Sequence, residues 1–179
     1  MGGAMVALDA SPEQAGELVA GQEGVGVAAV NGPGQTVVSG VESVVERLAG
    51  VWRERGGRAR RLRVSHAFHS PLMDPMLEEF GRVLAGVEFH EPRIALVTGK
   101  PGAQVTDPGY WVAHVRETVR YHDTVVAMRD AGVNIFAELG PDGALSAMAD
   151  PDSGVWVPVL RAGQDEPASA LKALAGVYV

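Results

Sequence analysis

The sequence predicts a mixed α/β chain whose architecture changes near residue 65. Up to that point, short Val- and Ala-rich runs and helix-periodic stretches follow one another in the order βαββαβ. From Met73 onward, short apolar runs alternate with helical patterns one by one, which implies a parallel α/β layer. This second part has few strands, and a parallel strand buried on both faces needs neighbours on each side. A further segment is therefore expected to complete it.

The elements follow in order. Met5-Val6-Ala7-Leu8 is a first strand. Ser11-Pro12-Glu13-Gln14 starts a helix: Ser11 suits the N-cap, Pro12 the first helical position, and Gln14 reaches back as in a capping box. Ala15, Leu18 and Val19 give that helix its apolar stripe. Val25 to Val30 is a second strand, Asn31-Gly32-Pro33-Gly34 turns the chain, and Thr36 to Ser39 returns as a hairpin partner. Val41, Val44, Val45, Leu48, Val51 and Trp52 keep helical spacing as far as Gly56-Gly57. A last strand would place Leu62 and Val64 on one face and Arg61 and Arg63 on the other. This order is ferredoxin-like, so residues 1–65 are expected to form one small subdomain.

Residues 66–179 are expected to belong to a second, larger subdomain. Met73, Met76, Leu77, Phe80, Val83, Leu84 and Val87 fall at helical intervals and predict a wide buried face. Ile94 to Val97 reads as a short strand, and Tyr110 to about Gly132 as helix broken near Glu117. Ile135 to Leu139 is a strand ended by Gly140-Pro141. A short helix then carries Ala144, Leu145 and Met148. Val155 to Leu160 is a strand interrupted at Pro158, and a final helix runs through Leu171 and Leu174.

Composition narrows the function. The chain is 46% hydrophobic and 21% charged, in keeping with a folded soluble protein. A formal net charge of −7 argues against bulk nucleic-acid binding, which needs a positive field. Without cysteine there are no disulfides or thiolate metal sites, and a cytoplasmic location is expected. The start lacks a signal-peptide pattern, and no apolar run nears the ~18 residues of a membrane span. No histidine spacing suggests a metal site.

The most informative segment is His66-Ala67-Phe68-His69-Ser70-Pro71-Leu72, between an Arg-rich strand and an amphipathic helix. Histidine changes protonation near neutral pH and is suited to base catalysis. Yet the chain holds no G-x-S-x-G and no cysteine for such a base to activate. Arg53, Arg55, Arg58, Arg60, Arg61 and Arg63 form a basic cluster in an acidic chain. It reads either as a solvated surface or as a docking face for an acidic partner.

Four motifs in order carry a resemblance: VAAVNGPGQTVVSG (27–40), RVSHAFHSPLMDPML (63–77), YWVAHVRETVRY (110–121) and FAELGPDGALSAM (136–148). Together they resemble the C-terminal part of the acyltransferase domain of modular type I polyketide synthases, related to malonyl-CoA:acyl-carrier-protein transacylases. The resemblance implies a hydrolase-like α/β large subdomain with a ferredoxin-like small subdomain inserted. It implies that His69 is the general base and that the backbone carbonyl of His114 holds its ring. His66 and Phe68 are the implied selectivity residues, the HAFH quartet resembling the malonyl-selective pattern and YASH the methylmalonyl-selective one.

The implied partners are malonyl-CoA, an acyl-carrier protein, the N-terminal half of the domain, and neighbouring synthase domains; Arg58, Arg60, Arg61 and Arg63 of the basic cluster are the expected docking face for the carrier protein. No cofactor is implied on this domain, since the phosphopantetheine belongs to the carrier protein. The setting implied is a multifunctional enzyme of secondary-metabolite biosynthesis. The family's GHSxG serine, its carboxylate-binding arginine and its N-terminal oxyanion donor have no counterpart here, so the isolated chain is expected to be inactive. Thr118 stands where the family usually has proline. The alternative is a non-catalytic remnant that docks carrier protein or serves a structural role.

Overall fold

The computed structural model describes residues 2–178. A four-stranded antiparallel sheet is built from β1 (Gly3–Leu8), β2 (Val25–Gly32), β3 (Gln35–Val41) and β4 (Ala59–Arg61), in the spatial order β2-β3-β1-β4. Helices α1 (Pro12–Val19) and α2 (Glu42–Glu54) cross between strands, giving the ferredoxin-like βαββαβ path. Ser11 caps α1 as its sequence suggests, with Gln14 N–H donating to Ser11 Oγ and Ser11 N–H donating to Gln14 Oε1.

Alternation along the strands sends Val6, Leu8 and Val38 against Leu18, Val45, Leu48 and Trp52 of the helices. Met5, Ala28 and Val37 fill the opposite face with Leu62 beside them. Asp9, just past β1, accepts from the Trp52 indole at 2.8 Å and from the Arg58 backbone N–H at 2.7 Å. Gly57 closes the turn before β4 because its α-carbon lies against the Trp52 indole, where no Cβ fits.

The last strand is shorter than its sequence suggests. Pairing with β1 stops at Arg61, Leu62 N–H makes one further bond to Met5 O, and Val64 is exposed. The chain then leaves the sheet for a 3-10 turn (Pro71–Met73) and α3 (Asp74–Leu84). The wide apolar face of α3 is not buried: Val83 is 60% exposed and Met76 39%. α3 packs on α4 (Pro108–Arg116), which covers only part of that face. Ile94 to Val97 forms no strand; no strand among the described residues lies alongside it, and Ile94 is 84% exposed. Helix α4 ends at Glu117 and α5 (Tyr121–Asp130) follows.

Met1–Thr124 and Val125–Val179 form two compact units. The second holds the parallel pair β5 (Ile135–Glu138) and β6 (Val155–Pro158) and the helix α6 (Glu166–Val177). The helix expected around residues 144–148 is a single 3-10 turn, Ser146–Met148. Glu138 takes the place of a cap there, accepting from Leu145 N–H, Ser146 N–H and Ser146 Oγ at 2.6–2.9 Å. Burial raises the Glu138 pKa, but these donors outweigh it and the net shift is downward. Phe136 and Trp156 stack across the two strands with ring centroids 4.2 Å apart.

Candidate active site

Between β4 and α3 the chain passes through the histidine segment under tight local constraint. Ala67 and Ser70 are buried. Ser70 Oγ donates to Ala67 O at 2.7 Å and accepts from Leu72 N–H at 3.2 Å, so one hydroxyl closes the loop and caps the following turn. Gly3 of β1 permits this packing, since a Cβ there would lie 2.8 Å from the Ala67 side chain. Pinned on both sides, His69 takes φ +55°, the one non-glycine positive φ among the described residues. Such a conformation is uncommon outside glycine and persists only where its surroundings over-determine it.

The His69 ring is half-buried and fixed through one nitrogen. Nδ1 lies 3.1 Å from His114 O and 2.9 Å from Glu117 O. Both neighbours are carbonyls, which only accept, so Nδ1 carries the proton and neutral His69 presents an unprotonated Nε2. The carbonyls are free because α4 stops: Glu117 turns extended at ψ 156°, and His114 O loses the partner a continuing helix would supply. Burial lowers the His69 pKa below 6.5, outweighing the two carbonyls that favour the charged ring. Resting His69 is thus neutral, while the carbonyl end of α4 faces any charge that forms on it.

The same ring opens onto an apolar hollow of about 390 Å³ walled by Phe68, Met73, Met76, Phe80, Trp111 and Val115. The exposed apolar face of α3 is its floor. Phe68 is 39% exposed and 5.9 Å, ring to ring, from His66, whose Nδ1 contacts Ser65 Oγ at 3.0 Å. The His114 ring stacks on Tyr110 at 5.8 Å and lies 5.9 Å from that of His69. His66, Phe68, His69 and the His114 carbonyl are therefore gathered in one place. The Glu117 carbonyl joins them, and sequence reasoning missed it; the expected helix break at 117 was the signal that could have found it.

The arginines are not equivalent. Arg58 is paired with Asp9 at 3.0 Å and Arg61 with Glu42 and Glu46. The side chains of Arg60 and Arg63 are exposed and unpartnered among the described residues. No group of acidic, histidine or cysteine side chains among the described residues could hold a metal ion. No described helix is long and apolar enough to cross a membrane.

Fold and sequence together define a transferase domain. The family described as "Acyl transferase domain" matches residues 1–151, and the chain belongs to it, as an acyltransferase of the polyketide synthase type. Polyketide synthase GfsA of Streptomyces halstedii is 50% identical over 99% of this chain. The spectinabilin polyketide synthase system protein NorB of Streptomyces orinoci is 46% identical over the same share. The chain spans only 2% and 9% of those two relatives. Among solved structures, the acyltransferase domain from the second module of the salinomycin polyketide synthase superposes with a TM-score of 0.92 at 46% identity. That match covers 99% of this chain and 44% of the other.

Proposed function

We propose that His69 is the general base of a malonyl-selective acyltransferase domain that loads an acyl-carrier protein within a polyketide synthase. The observation that carries this reading is a ring held at Nδ1 by two carbonyl acceptors, which leaves Nε2 as its free nitrogen, at the wall of a ligand-sized hollow. Nε2 takes the proton of a seryl hydroxyl as its oxygen bonds to the malonyl carbonyl carbon. The CoA sulfur leaves and receives that proton from the imidazolium. In the second half-reaction Nε2 deprotonates the carrier's phosphopantetheine thiol, whose sulfur bonds to the acyl carbon as the serine oxygen leaves and takes the proton back from the imidazolium. The serine comes from a GHSxG elbow that these 179 residues do not contain. No cofactor is needed on the domain itself.

Selectivity rests on Phe68, whose ring stands on the wall beside His69 and leaves little space for a methyl branch at the α-carbon. Docking of the acidic carrier falls to Arg60 and Arg63, which of the four arginines 58, 60, 61 and 63 are the two without an ion pair among the described residues, with Arg58 and Arg61 beside them. Their effect is on encounter rate more than on affinity.

In an intact acyltransferase containing this chain, His69→Ala should lower acylation and transfer by at least ~10², the scale of lost general-base catalysis. The native acylation rate should rise with pH through a midpoint below the 6.5 of a free imidazole, because burial lowers the pKa of the base. Stopped-flow acylation between pH 5 and 8 checks both. A variant with near-native turnover and the native pH profile would remove His69 from the mechanism.

A further inference from the structure

Between α4 and α5 the chain runs through residues 117–120, and this short segment is bonded on two sides. On one side it joins the small sheet: Val119 N–H donates to Ala28 O at 2.9 Å and Val119 O accepts from Val30 N–H at 2.8 Å. These bonds make a one-residue parallel bridge between Val119 and Ala29, where the β2–β3 register shifts. Beside it the part-buried Thr118 hydroxyl donates to Val27 O at 2.7 Å. On the other side, the Glu117 carbonyl accepts from His69 Nδ1 at 2.9 Å.

The Glu117 carbonyl and the Thr118 N–H share one rigid peptide plane. Its orientation depends on two torsions, ψ of Glu117 and φ of Thr118. The Val119 bonds fix the chain beyond Thr118, and the Thr118 hydroxyl fixes Thr118 itself. The other restraint nearby, the Lys100–Glu117 ion pair, holds a side chain rather than the carbonyl. Both its members are about half exposed, where such pairs count for little.

We propose that Thr118 is a positioning residue for His69: anchored on Val27, it holds the 117–118 peptide so that the Glu117 carbonyl keeps the proton on Nδ1. This deepens the reading of His69 as a base, but it concerns how the ring is held, which is measurable without turnover. The other charged or titratable groups around the ring are His114, the Arg116–Asp74 pair between α4 and α3, Glu117 with Lys100, and His66 on its own segment. None is altered by a change at 118.

The test is 15N NMR of the histidine rings in the 179-residue chain, comparing native protein with Thr118→Val and Thr118→Ser across a pH titration. Native His69 should be mainly the Nδ1–H tautomer. Thr118→Val keeps the shape and loses the donor. The Nε2–H tautomer of His69 should then rise about twofold to tenfold relative to Nδ1–H, the span that one net hydrogen bond commands. The His69 titration midpoint should fall, because a misaligned carbonyl no longer favours the charged ring. Thr118→Ser should restore both, with His90 and His122 unmoved throughout.

A folded Thr118→Val chain with native tautomer and midpoint overturns the proposal, and so does a folded Thr118→Ser chain that behaves like Val. If Thr118→Val does not fold, Thr118→Ala is read by the same criteria. A tautomer shift at Thr118 alongside full turnover of His69→Ala would leave the positioning role standing and remove the base role. The reverse pair of results would do the opposite.

Discussion

His69 holds a left-handed backbone that costs an L-residue about 1–2 kcal/mol. A ~10² base contribution corresponds to about 2.7 kcal/mol of barrier lowering, so the strain is the smaller quantity. Next to it, Phe68 makes a separate prediction. In the intact enzyme, changing His66→Tyr with Phe68→Ser should raise methylmalonyl use over malonyl by about tenfold to a hundredfold in relative kcat/KM, since one methyl carries little energy. Part of the total activity should be lost as well, because both positions share a short constrained segment with His69. Competition between the two CoA esters, with products counted by mass, reads the ratio. An unmoved ratio in an active variant places the pocket wall elsewhere. At this scale the sequence pointed to a place: Phe68 and His69 of the HAFH quartet line the hollow, and His66 lies beside Phe68. The Glu117 carbonyl was not, because every residue has a carbonyl and only the chain path says which one is free.

Asp9 shows how single contacts organise elements. It ties the end of β1 to Trp52 of α2 and to Arg58 at the entry to β4. The Trp52 indole N–H foremost, then the Arg58 N–H groups, lower its pKa from 3.8 to about 2. A carboxyl depressed by folding adds stability that is fully present above the unfolded value of 3.8 and fades as pH falls towards 2. Asp9→Asn should therefore lower the thermal midpoint of the chain at pH 6, with the gap narrowing between pH 4 and 2 as native Asp9 protonates. Calorimetry across that range checks it, and a gap independent of pH would mean the ionised carboxylate contributes nothing. Elements with local signals were legible, as at α1, where Ser11 and Gln14 spell the cap. Those depending on distant partners were misread: Ile94–Val97 has strand composition but no strand beside it among the described residues, and the apolar stripe of α3 faces a hollow rather than a core.

In the Val125–Val179 unit, β5 and β6 are a parallel pair with no third strand among the described residues, and Leu139, Leu171 and Leu174 are 85%, 67% and 57% exposed. Parallel strands are ordinarily covered on both faces. The alternating pattern of residues 135–177 foretold this shortage of strands, whereas the division at 124/125 had no composition signal. A base without its nucleophile forms no acyl intermediate. The 179-residue chain alone should accordingly take up no label from radiolabelled malonyl-CoA above a His69→Ala control. Covalent loading above that control would show that another nucleophile in this chain serves.

The break after α4 has a further consequence for how this site tolerates change. The imidazole is held by main-chain atoms of residues 114 and 117, so the socket is specified by the route of the chain and not by the letters at those positions. Substitutions there leave the acceptors in place provided the helix still stops where it does. An insertion or deletion between the two helices moves the Glu117 acceptor away without altering either histidine. Sequence drift and loss of the socket are thus uncoupled, because a change of side chain at 114 or 117 leaves the carbonyl at that position.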